Sequence, residues 1–118
     1  MRGLIFLLLA TPLGALASEV GRTYEHHLFP SEKACAEAKK GGGWFNCSQT
    51  ITFDEGGQVS VMVTDIMNEG TYVRSGQKVT IRMEDGGDAA NEMILHFDRT
   101  ERNLVDPTTF EVWELAGD

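Results

Sequence analysis

Cys35 and Cys47 are the only cysteines in the chain, and the residues between them set the one spacing here that carries defined chemistry. The gap fits neither a Cys-x-x-Cys redox pair nor a zinc motif. In an oxidising compartment, an isolated pair in a small domain forms a disulfide. Closing such a loop stabilises by about 3 kcal/mol in the chain-entropy model and removes both thiols as nucleophiles. The second group is histidine: His26 and His27 are adjacent and His96 is distant in sequence. On a strand, adjacent side chains point to opposite faces, so His26 and His27 do not share one metal ion. A site joining one of them to His96 and a carboxylate such as Glu25 or Asp98 has no spacing motif behind it. The sequence therefore predicts no metal and no cofactor.

Carboxylates are abundant, but none of them is singled out as a catalytic pair. The acidic turns Asp54-Glu55-Gly56-Gly57 and Glu84-Asp85-Gly86-Gly87-Asp88 offer oxygen ligands, yet neither follows the twelve-residue calcium loop. Asp and Gly at hairpin tips satisfy turn geometry without any ion. No Ser lies in a Gly-x-Ser-x-Gly elbow, and Gly41-Gly42-Gly43 lacks the Lys-Ser/Thr of a phosphate loop. The Asn46-Cys47-Ser48 sequon holds a bridged cysteine and is read as chance. These exclusions point to a protein that is not an enzyme. On extended backbone Trp44 and Phe45 point to opposite sides, so the pair packs into the core, the favoured reading, or leaves one ring outward as a binding contact.

The elements that must position these groups are mostly strands. Ser31 as N-cap, Glu32, an alanine-rich middle and Lys39-Lys40 predict one short N-terminal helix, stopped by the glycine triplet. Strand character covers 23–29, 49–53, 59–63, 71–73, 79–83, 93–97, 102–105 and 110–115. Turn residues separate these runs at 54–57, Asn68-Glu69-Gly70, Ser75-Gly76-Gln77, 85–88 and Asp106-Pro107. The expected fold is mainly β: an antiparallel meander of about seven or eight strands closing as a small barrel, or folding as a sandwich. Alternation places Val59, Val61, Val63, Val79, Ile81, Met83, Leu95 and Phe97 on one core.

Residues 1–17 read as a secretory signal peptide: Arg2, an apolar run from Leu4 to Ala10, and Ala15-Leu16-Ala17 as cleavage site. No cysteine follows that site to carry a lipid, and no later apolar run approaches the length of a membrane helix. Residues 18–118 then form a single periplasmic or secreted domain of about 100 residues, enough for one core. Eighteen acidic residues stand against ten basic ones, for a net charge of −8. That balance disfavours nucleic acid and anionic membranes; it keeps a secreted domain soluble, the favoured reading, and would attract a basic partner.

The run Gly70-Thr71-Tyr72-Val73-Arg74-Ser75-Gly76-Gln77-Lys78-Val79-Thr80-Ile81, followed by Leu104-Val105-Asp106 and Trp113, resembles the hairpin and closing strands of bacterial lipocalin-like domains. The resemblance covers about half of the mature chain and implies a small extracytoplasmic barrel with a binding role. Three functions follow as expectations. The first is an exported barrel that binds a small apolar ligand or an envelope protein. The second is an acidic inhibitor of a basic lysozyme-like hydrolase. A structural, envelope-associated module is a third. Trp44, Phe45, Glu84, Asp85 and Asp88 are the candidate contact residues.

Overall fold

The computed structural model describes residues 18–42, 45–63, 66–84 and 92–117. The signal-peptide segment 1–17 lies outside them, as do Trp44, Asp85 and Asp88. Eight strands form a closed antiparallel barrel in sequence order: β1 (Thr23–His27), β2 (Ser48–Phe53), β3 (Gln58–Met62), β4 (Met67–Ser75), β5 (Lys78–Met83), β6 (Glu92–Phe97), β7 (Asn103–Val105) and β8 (Val112–Leu115). Closure comes from β8 pairing back onto β1, with Tyr24 opposite Leu115 and Glu25 opposite Glu114. Every strand thus has two neighbours, so the ladder donors and acceptors of the sheet are used without an open edge. The barrel, rather than a sandwich, is the arrangement adopted.

The alternation that marks the strands also fills the barrel. Ile51 and Phe53, Val59 and Val61, Val79 and Ile81, Leu95 and Phe97 point inward and are buried, joined by Tyr24, Leu104 and Trp113. Tyr24, Phe53, Tyr72 and Phe97 meet in the interior at centroid separations of 4.8 to 6.1 Å, mostly edge to face. Eight strands give a barrel just wide enough for such side chains. Val63 departs from the expected set: β3 ends at Met62, and Val63, beyond the ladder, is 43% exposed.

Two further expectations are corrected. Asn68-Glu69-Gly70 is not a turn but the first half of β4, paired from Met67 opposite Met62 through Thr71 opposite Gln58. Gly70 is there because β5 passes so close that a Cβ would run into the Arg82 carbonyl. The helix α1 (Glu32–Lys39) is not N-terminal: it interrupts the meander between β1 and β2. Its local signals hold, since Ser31 Oγ accepts from Ala34 N at 3.0 Å, Glu32 sits in the first turn and Lys39 in the last. Only the buried Cys35 of α1 turns inward, and its disulfide to Cys47, with Cα atoms 5.7 Å apart, pins the helix to the residue that precedes β2.

Candidate functional site

Antiparallel connectivity divides the loops between two ends. One end, the base, carries the segment before β1 and the short connections 54–57, 76–77 and 98–102. The opposite end carries 28–42 with α1, 45–47, Val63, Ile66, Glu84 and the connection 106–111.

The base is closed by charge. Arg74 follows Tyr72 by two residues on β4, so its guanidinium is turned inward, where it lies 4.3 Å from the centre of the Phe97 ring. Its Nη1 donates to Glu19 Oε1 at 3.0 Å, Nη2 to Glu101 Oε2 at 2.7 Å, and Nε to the Gly76 carbonyl at 2.7 Å. Tyr72 donates to the other oxygen of Glu19 at 2.8 Å, and Ser18 donates to Glu101 at 2.7 Å. Glu19 is 6% exposed, the only charged residue buried among those described. The hydrogen bond from Arg74, then that from Ser18, holds the Glu101 carboxyl below its usual range. Burial, then the bond to Glu19, pushes the Tyr72 hydroxyl up. Each charge here is answered by another part of the chain, so the cluster works as a seal. No earlier motif pointed to it; the available signal was an arginine in phase with Gly70 and Tyr72 on a strand, a cation on the core face that requires carboxylates.

The loop end is built differently. Eight large hydrophobic residues are exposed among those described, and six of them sit here: Leu28, Val63, Ile66, Met67, Phe110 and Val112. The other two, Val73 and Ile94, flank Thr80 on the outer wall. Inside the mouth at this end, Met83 and Met93 are only partly buried. Trp113 is 3% exposed, and its Nε1 is the one buried side-chain donor among the described residues that has no partner.

The histidines separate as their adjacency requires. The side chain of His26 is 16% exposed: its ring lies 5.2 Å from that of Trp113, Nδ1 donates to the Val112 carbonyl at 2.9 Å, and Nε2 is 3.6 Å from Glu111. His27 faces outward at 55% exposure, 3.7 Å from Glu25 and 4.0 Å from Glu114. Two recesses of about 450 and 400 Å³ flank it, between α1 and the barrel wall, and share His27, Glu32 and Cys47. Ser48, in the second, donates to Glu25 Oε2 at 2.8 Å. The serine is thus engaged by a carboxylate that only accepts, and is not paired with the imidazole as a nucleophile would be. No cluster of three or more metal-ligating side chains occurs among the described residues.

Of the expected contact residues, Phe45 stacks on Phe29 at 5.7 Å and lies 5.9 Å from Lys39 Nζ, so its ring packs locally. Glu84 is exposed at the loop end, its N–H donating to the Glu69 carbonyl at 2.9 Å. Cys35 and Cys47 are joined. Leu28, Ile66, Met67 and Phe110 were not anticipated, because exposure of an apolar residue depends on which end of the barrel its loop reaches. No helix among the described residues is long and apolar enough to cross a membrane. Compared with known proteins, the chain matches no family model, no curated sequence and no solved structure.

Proposed function

We propose that this chain is an exported, non-enzymatic binding module whose loop-bearing end docks a basic protein. The observation that carries the reading is the gathering of six of eight exposed large hydrophobics at that end, opposite a base whose one buried charge, Glu19, is paired with Arg74. Concentrated exposed apolar surface marks an interaction site. The net charge of −8 selects a basic partner and speeds its approach. The formed disulfide agrees with life in an oxidising compartment. In this reading Glu84, Asp85 and Asp88 steer and the apolar residues hold. Neutralising the three acids together is expected to slow association and to weaken its salt dependence while folding is unchanged. Stopped-flow association rates at several ionic strengths measure this, and rates indifferent to both salt and the triple change would refute steering.

A second reading, an apolar small ligand in the barrel mouth in the manner of lipocalin-like domains, is favoured by the unpartnered Trp113 Nε1 and the half-buried Met83 and Met93. Displacement of an apolar dye that ignores the acidic triple change but is abolished by a bulky residue at Val61 would select it over docking.

A further inference from the structure

Only two residues other than glycine have positive φ among those described: Glu101 at 62° and Phe110 at 66°. Non-glycine residues enter this region at a cost and persist where surrounding structure dictates it. At Glu101 the fold uses what it holds: the carboxylate binds Arg74 and Ser18, and the carbonyl accepts from Tyr24 at 2.6 Å. Phe110 shows no such return. The residue is 76% exposed, more than any other large hydrophobic residue described.

The backbone that holds Phe110 is well tied. Asp106 Oδ1 accepts from Thr108 N at 2.8 Å and Thr109 N at 3.3 Å, Asp106 N donates to the Glu111 carbonyl at 2.9 Å, and Phe110 N donates to the Asp106 carbonyl at 2.7 Å. Such a loop returns to its strand through a left-handed residue, a place that glycine or asparagine fills without strain. Here it carries the bulkiest kind of side chain, aimed at solvent on a hydrogen-bonded platform. Next to it in sequence Glu111 has a side chain 51% exposed, and further along β8 Val112 is 39% exposed and the Glu114 side chain 62% exposed.

We infer that Phe110 is the anchor of the docking face: its ring enters an apolar recess on a basic protein while Glu111 and Glu114 meet cations around that recess. This rests on the docking reading above and adds to it a named contact and a partner surface of defined chemistry. A ring with few rotatable bonds on a pre-ordered loop loses little entropy on binding, as interface hot spots require. Strain and exposure then have one cause, and relieving both leaves the fold intact.

The test uses Phe110→Gly and Phe110→Asn in the full exported protein, both compatible with positive φ, with c-type lysozyme, pancreatic-type ribonuclease and cytochrome c as basic probes at low ionic strength. Both variants are expected to melt at the same or a higher temperature than the parent. The parent is expected to bind at least one probe, and each variant to bind it at least about tenfold more weakly. A lower melting temperature in both variants overturns the inference, because the ring would then serve the fold. Unchanged affinity in both overturns the anchor alone, and the docking reading survives if Ile66→Ser with Met67→Ser weakens binding. Failure of the parent to bind any of the three overturns the docking of a basic protein itself.

Discussion

The two ends of this barrel solve the same problem, how to terminate a cylinder of strands, in opposite ways. At the base, short connections bring Arg74, Glu19, Glu101 and Tyr72 within hydrogen-bond reach, and charge closes the interior. At the other end, longer connections leave apolar side chains at the surface and pin only one of them covalently, through Cys35 and Cys47. Buried charge demands its partners from the same chain, whereas exposed apolar surface is tolerated by the fold without any. The difference teaches where to look for stability and where for binding.

The comparison breaks most readily at Arg74. Arg74→Met leaves the carboxylate of Glu19, 6% exposed, without its cation, and is expected to cost about 3 kcal/mol or more. Ile66→Ser, 62% exposed at the loop end, should by contrast change stability by less than about 0.5 kcal/mol. Urea unfolding of the two variants measures both, and similar losses at the two ends would erase the distinction. Replacing Cys35 and Cys47 by Ser tests the one staple of the loop end, with an expected loss of about 3 kcal/mol and the barrel retained. Circular dichroism with urea titration reports both quantities.

A smaller effect than those of Arg74 and the disulfide is read with acid. Because Arg74 and Ser18 hold Glu101 below its usual range, the folded protein binds fewer protons there than the unfolded chain does. Its contribution is present above the unfolded value, about 4.3, and is lost as pH falls through the lower folded value. Glu101→Gln is expected to lower stability at pH 7 by about 1 kcal/mol and to flatten the acid side of the stability profile. A slope unchanged by the substitution would separate Glu101 from the seal.

Alternating side chains, glycine-bearing turns and a capped alanine-rich helix were enough to read the strands, α1 and the disulfide from the sequence, because each depends on neighbours a few residues apart. The errors fell where a distant strand intervened. Asn68-Glu69-Gly70 has turn composition, but pairing with β3 and close approach of β5 draw it into β4. Val63 has strand chemistry but no ladder partner, since β3 ends one residue earlier. Among the contact residues, Phe45 has a ring partner in Phe29 that no sequence pattern announces.

By itself, then, the sequence determined most of the secondary structure, the covalent link and the acidic net charge, all properties of composition and short-range order. Only the tertiary structure decided that β8 returns to β1, that residues 18, 19, 74 and 101 meet at one end, and that Leu28, Ile66 and Phe110 share the other. Closure is what assigns each loop to an end. It joins residues as distant in sequence as Thr23 and Ala116, and no local preference records which distant segment will supply the counter-charge or leave a ring uncovered.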